Sequence, residues 1–86
     1  MPEISRFFGI VIRMYFFDHD PPHFHAIYAG QEAQIGIEPL TVLNGNLPSR
    51  ALSLTIEWAA EHREELYENW RLLLLDQAPN RIQPLR

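Results

Sequence analysis

The first half of the chain has the residue pattern of a β-sheet. β-branched and aromatic residues fill positions 4–28, with breaks at Gly9 and at 18–22, which predicts strands near 4–8, 10–17 and 23–29. The turn sequence at 29–32, in which Gly30 supplies a positive φ, leads to a fourth strand at 32–38. A short edge strand at 40–43 is predicted before a reversal at Asn44 and Gly45. The order of these elements predicts an antiparallel meander.

After Pro48 the spacing of apolar residues changes to that of a helix, with Pro48 suited to the first turn and Ser49 a candidate N-cap. One helical face is formed by Leu52, Ile56, Ala59, Arg63, Leu66, Trp70 and Leu73. An unbroken helix over 49–75 would be about 40 Å long, whereas a compact chain of this size has a radius of gyration of about 12 Å. We therefore expect a break near 61–64. Trp58 and Trp70 are expected to pack the helices onto the sheet, and His62 to be a helix-end residue.

These elements predict an α+β fold, with a four- to five-stranded antiparallel meander sheet followed by one kinked or two C-terminal helices packed on one face. The 86 residues have room for one domain, with a β-rich region at 1–47, a helical region at 48–76 and a tail at 77–86. The tail is expected to be loosely ordered unless Ile82 and Leu85 dock. A domain this small gains stability from association, so exposed strand edges are candidate contacts in a homo-oligomer.

Composition narrows the classes of function. The chain has no cysteine, which excludes disulfides, thiolate metal sites and cysteine nucleophiles, and makes a reducing cytoplasm the expected location. The formal net charge of −4 argues against duplex DNA as a partner. The apolar run at 7–17 is too short to span a bilayer and contains Arg13, so no membrane association is expected.

The segment "DHDPPHFHA" at 18–26 concentrates the candidate chemistry. Strand alternation puts His23 and His25 on one face with Ile27, while Phe24, Ala26 and Tyr28 take the core-facing side. On the preceding strand, Arg13 and Tyr15 are expected on the face of the two histidines, because they would otherwise lie in the core. The rim of this face is formed by Asp18, His19 and Asp20, and the loop is stiffened by Pro21 and Pro22.

Three functions fit these residues. A metal site would use His23 and His25 with His19 or a loop aspartate, which is the number of protein ligands in a catalytic zinc site, and zinc or another divalent metal would be the cofactor. A metal-independent ribonuclease would use the two histidines as general acid and base, with Arg13 stabilising charge on phosphate, and RNA as substrate. A binding face without chemistry, which needs no cofactor, would contact a protein partner through Tyr15, Asp18, Pro21 and Pro22.

Three blocks, "PEISRFFGIVIRMYF", "DPPHFHA" and "EWAAEHREELYENW", resemble a bacterial family known as domain-of-unknown-function family four-one-six-zero, over about residues 2–75. The family's marked positions correspond here to Arg6, Phe7, Arg13, Pro21, Pro22, His23, Phe24, His25, Glu57, Trp58, His62, Arg63 and Trp70. The resemblance implies a small cytoplasmic bacterial protein, often encoded beside another short gene and suggested to belong to toxin–antitoxin-like pairs.

The function predicted at this point is therefore one half of a toxin–antitoxin-like two-protein module, which binds a small protein encoded by an adjacent gene. The alternatives are a ribonuclease-type toxin that uses His23 and His25, and a metal-dependent hydrolase or metal-binding protein at the same residues.

Overall fold

The computed structural model describes residues 2–86 and contains five strands followed by two helices. The strands are β1 (Glu3–Phe7), β2 (Ile10–Arg13), β3 (His23–Tyr28), β4 (Gln31–Gly36) and β5 (Val42–Gly45). They form one antiparallel sheet in the order β1-β2-β3-β4-β5. The helices are α1 (Ser49–Glu61) and α2 (Arg63–Leu74). The predicted α+β meander with two C-terminal helices is confirmed.

The helices bury one face of the sheet. The indole of Trp58, fully buried on α1, contacts the ring of Phe24 on β3 at 5.9 Å and that of Phe7 on β1 at 5.3 Å between centroids. Leu66 and Leu73 extend the same core from α2. The alternation predicted for β3 is therefore correct for Phe24 and Ala26, which lie in the core, while His23 and His25 alternate with them along the strand and are themselves buried.

The break between the helices falls at His62, inside the predicted interval. The longest dimension of the molecule is 33 Å, so an unbroken helix of about 40 Å would extend beyond the sheet. His62 leaves helical geometry at φ −126°, and its Nδ1 lies 2.6 Å from Oε1 of Glu65 in the first turn of α2. Ser49 is the first residue of α1 and not its N-cap, a position held by Pro48.

Two strand predictions are wrong in detail. The strand predicted at 10–17 ends at Arg13, because the chain turns at Phe17, whose φ is +54°. The pair Asn44 and Gly45 lies in β5 and does not form a reversal. Gly45 is required there because its φ is +76° and a Cβ would collide with the carbonyl oxygen of Glu32 on β4.

The C-terminal tail has no regular secondary structure, yet it packs along β1. Ile82 and Leu85 are buried, and the Ile82 amide donates a hydrogen bond to the Ile4 carbonyl at 2.8 Å. The indole Nε1 of Trp58 donates to the carbonyl of Gln83, also at 2.8 Å. The tail is expected to be ordered only if Ile82 and Leu85 dock, and both do.

No helix within residues 2–86 is long and apolar enough to cross a membrane.

Candidate metal centre

The site forms where the loop between β2 and β3 folds back over the first residues of β3. The Pro21 carbonyl lies 2.8 Å from Nδ1 of His23, and the Pro22 carbonyl accepts a hydrogen bond from the Ile37 amide at 3.2 Å. These two backbone contacts fix the end of the loop against β3 and the residue after β4. Asp18 consequently lies over the face of the sheet that carries His23 and His25.

His23 is held in one tautomer by its surroundings. A carbonyl oxygen only accepts hydrogen bonds, so Nδ1 must carry the proton that it donates to Pro21. In the neutral ring, Nε2 then has a free lone pair. This nitrogen is buried and lies 3.0 Å from Oδ2 of Asp18, but the direction of approach does not meet hydrogen-bond geometry, so Nε2 has no hydrogen-bond partner among the described residues.

His25 repeats this arrangement with a carboxylate in place of a carbonyl. Its Nδ1 lies 2.8 Å from Oε2 of Glu32, and its Nε2 lies 3.2 Å from Oδ2 of Asp18. The imidazole is only 6% exposed, and the ring of Tyr15 packs edge-on against it at 4.5 Å between centroids. Both ring nitrogens thus face carboxylate oxygens, which only accept, so the contact with Asp18 is a hydrogen bond when Nε2 carries a proton, and a metal ion would take the place of that proton.

Asp18 is ionised at neutral pH. Burial raises the pKa of its carboxyl group, but the hydrogen bonds that it accepts from His25 and from the His19 amide, together with the charge of the His23 and His25 rings, outweigh burial and hold the pKa below its ordinary value. The Asp18 carboxylate is thus an oxygen ligand that needs no deprotonation before it binds a cation.

Three ligand atoms converge at this point, one each from Asp18, His23 and His25, and all lie within 4.8 Å of one another. Zinc bonds of about 2.0–2.1 Å at tetrahedral angles place neighbouring ligand atoms about 3.3–3.4 Å apart. The Asp18 oxygen is 3.0 Å and 3.2 Å from the two Nε2 atoms, close to those separations. The spacing of the Asp18 oxygen from both imidazoles therefore fits a divalent transition-metal ion.

Comparison with models of known families identifies the family of this chain. A model of the family described as "Domain of unknown function (DUF4160)" matches residues 9–71, which includes the whole site. The chain belongs to this family. No curated protein and no solved structure matches it.

For this DUF4160 member, the sequence prediction placed most of the site residues near one another. Arg13 is the cross-strand neighbour of His25, and Tyr15 contacts the same ring. Pro21 and Pro22 contribute through their backbone carbonyls. The exposed Asp20 stays at the rim, where its carbonyl lies 3.3 Å from Nδ1 of His19.

His19 occupies a different place from the three convergent residues. Its side chain is 75% exposed, and its Nε2 lies 3.7 Å from Oδ1 of Asp18, whereas the two buried imidazoles approach Oδ2. The ring is tilted by 32° relative to that of His23, with 5.3 Å between the centroids. The third ligand atom that the geometry offers therefore comes from Asp18, the loop aspartate, and not from His19.

Two residues of the site were missed by sequence reasoning. Trp70 on α2 packs its indole against the His23 ring at 5.3 Å, so the second helix helps to bury the site. Glu32 is paired with Ile27 and is the diagonal neighbour of His25 on β3. The turn at Ala29 and Gly30 fixes which residues of β3 and β4 face each other, so the position of Glu32 beside His25 could have been predicted from the sequence.

Proposed function

We propose that this protein binds a divalent transition-metal ion, with zinc as the best fit, through Asp18, His23 and His25. The observation that carries the proposal is the orientation of the two imidazoles. Each Nδ1 faces an oxygen acceptor 2.8 Å away, and each Nε2 faces the same carboxylate oxygen of Asp18. Histidines that bind metals characteristically donate the other ring N–H to a carbonyl or carboxylate, as both do here.

The ligand set also indicates the kind of metal centre. Imidazole nitrogen with one carboxylate oxygen suits zinc and its neighbours, whereas magnesium and calcium prefer oxygen alone. Three protein ligands leave a coordination position open, which is the arrangement of catalytic zinc sites rather than structural ones. An ion held in this way supplies Lewis acidity towards a carbonyl or phosphoryl oxygen, so the proposal includes metal-dependent hydrolysis.

The same geometry favours a metal ion over a histidine acid–base pair. A general acid or base must present a ring nitrogen to the substrate, yet all four ring nitrogens of His23 and His25 already face oxygen atoms of the protein. The ribonuclease hypothesis predicts growth arrest on expression that is abolished by His25→Ala and is indifferent to the metal content of the protein.

The metal proposal is tested with protein prepared without a histidine tag and titrated with zinc against a competing chelator. One zinc ion per chain is expected. Asp18→Asn keeps the shape of the side chain and removes its charge, so it should lose tight binding, whereas the matched change His19→Ala should keep it. Zinc binding that is unaffected by Asp18→Asn, or lost in His19→Ala, would contradict the ligand assignment.

A second candidate function is supported by the free edge of the sheet. The tail packs along β1 at one edge, while all four residues of β5 at the other edge are exposed, including Val42 and Leu43. Exposed edge strands accept a strand from another chain. This edge is the surface through which we propose that the protein binds a small partner encoded by an adjacent gene, in a cytoplasmic toxin–antitoxin-like module.

Co-purification with the product of the adjacent gene tests this second candidate. Leu43→Lys on β5 should abolish the complex, while Leu75→Lys, at an exposed position after α2, should leave it intact. A complex that survives Leu43→Lys would place the interface elsewhere.

A further inference from the structure

Arg13 lies on the same face of the sheet as the proposed metal centre. It is the last residue of β2, and its Cα is directly opposite that of His25 on β3. Side chains of directly opposed residues in an antiparallel pair point to the same face, with Cβ atoms about 4.5–5.5 Å apart. The side chain of Arg13 is half-buried, as expected for a residue beside a covered histidine.

Arg13 differs from most of the other arginines in having no anionic partner within residues 2–86. The arginines that lie within 4.0 Å of a carboxylate are Arg6, Arg63, Arg71 and Arg81, all of them more exposed than Arg13. The Nε atom of Arg13 is buried, and no hydrogen-bond acceptor in the described chain reaches it. A buried donor of a charged group ordinarily has an acceptor, so its absence points to a ligand that supplies one.

The chemistry around Arg13 favours phosphate over carboxylate as that ligand. A guanidinium binds two oxygens through parallel N–H bonds, and a metal ion with an open position takes another oxygen. A phosphate group has enough oxygens to satisfy both at once, whereas a carboxylate has only two. The charges of a divalent ion and Arg13 also exceed those of the Asp18 and Glu32 carboxylates, so the site attracts an anion.

We propose that Arg13 binds phosphoryl oxygens of a ligand held at the metal centre, so that the ligand of this protein is a phosphate ester. The inference rests on the proposed metal-binding function, because the open position of the ion supplies the second contact. The net charge of −4 limits the ligand to a small ester or a short strand, since a long polyanion would meet repulsion from the rest of the surface.

The test is calorimetric titration of zinc-loaded protein, free of excess zinc, with inorganic phosphate. Binding of one phosphate per chain is expected, and it should require zinc. Arg13→Met keeps the apolar stem and removes the guanidinium, so phosphate affinity should fall at least about tenfold. The phosphate affinity of Arg13→Lys should lie between that of the wild type and that of Arg13→Met. The control is Arg50→Met, because Arg50 is an exposed arginine on α1, away from the site, and no carboxylate of residues 2–86 lies within 4.0 Å of it.

Zinc affinity, measured separately in every variant, distinguishes the two proposals. A wild-type chain that binds zinc but no phosphate, or whose phosphate affinity is unchanged by Arg13→Met, refutes the phosphate inference and leaves the metal site standing. Acetate that binds as tightly as phosphate refutes phosphate as the ligand class. A wild-type chain that binds no zinc refutes the proposed function and this inference with it.

Discussion

The contact between Glu32 and His25 offers a sharp test of the metal centre, because Glu32 would not itself touch the ion. Its Oε2 accepts a hydrogen bond from Nδ1 of His25 at 2.8 Å, which orients the ring so that Nε2 points towards Asp18. Substitution of such an outer carboxylate typically lowers metal affinity about 10- to 100-fold. The Glu32 side chain is 49% exposed, so water screens the interaction of its charge with the site. The smaller loss of metal affinity, about tenfold, is therefore expected for Glu32→Gln.

Glu32→Gln keeps an oxygen that can accept from Nδ1 and removes only the charge, so we expect zinc affinity to fall about tenfold, or about 1.4 kcal/mol. Glu32→Ala also removes the hydrogen-bond acceptor, so the loss of zinc affinity should approach a hundredfold, because the tautomer of His25 is no longer held. The assay is competition for zinc against a chelator of known affinity, with far-UV circular dichroism to verify the fold.

The chain provides a matched control in Glu65→Gln. Glu65 also contacts the Nδ1 of a histidine, His62 at 2.6 Å, but at the junction of the helices and outside the site. Zinc affinity should be the same in Glu65→Gln as in the wild type. Equal affinity in Glu32→Gln, Glu32→Ala and the wild type would refute the role of Glu32 in orienting a metal ligand.

Two further predictions concern stability. Ile82→Ala should destabilise the fold by about 2 kcal/mol, the low end for a buried isoleucine because the tail can partly collapse, and should lower Tm by roughly 8–16 °C in thermal unfolding. Leu75 is exposed after α2, so Leu75→Ala should change Tm little. Equal changes in Tm for Ile82→Ala and Leu75→Ala would show that the tail does not dock. The hydrogen bond from Arg6 has the largest effect on the pKa of Glu3, and together with the hydrogen bond from Arg81 and the charges of both arginines it outweighs burial and lowers this pKa from 4.5 to about 2. The unfolded chain then binds more protons than the folded one between these values, so the difference in Tm between wild type and Glu3→Gln should be complete above about pH 5 and vanish as the pH falls to about 2. A difference independent of pH would contradict this ion pair.

Local rules explain the parts of the fold that the sequence predicted correctly. The pair Ala29 and Gly30, both at positive φ, forms the two-residue turn that sets the register of β3 and β4. Alternation along β3 then separates Phe24 from His23 and His25. The periodicity after Pro48 and the size of the domain together predict two helices.

Tertiary contacts explain what the sequence did not reveal. Asn44 and Gly45 have the strongest turn signal in the chain, yet Gly45 is needed for a close approach of β5 to the carbonyl of Glu32. The place of Asp18 over both imidazoles depends on the path of a nine-residue segment from 14 to 22, which no residue spacing specifies. Trp70 reaches His23 only because the chain breaks at His62, so its contact also depends on the packing of α2.

The central claim is that the Nε2 atoms of His23 and His25 bind the metal while their Nδ1 atoms stay protonated. Nitrogen-15 NMR of the imidazole rings, recorded before and after addition of one equivalent of zinc, measures this directly. The proposed site predicts that the Nε2 resonances of both residues shift to values typical of metal-bound nitrogen, and that both Nδ1 resonances keep those of a protonated nitrogen. Unchanged His23 and His25 resonances, or binding only at the exposed ring of His19, would contradict it.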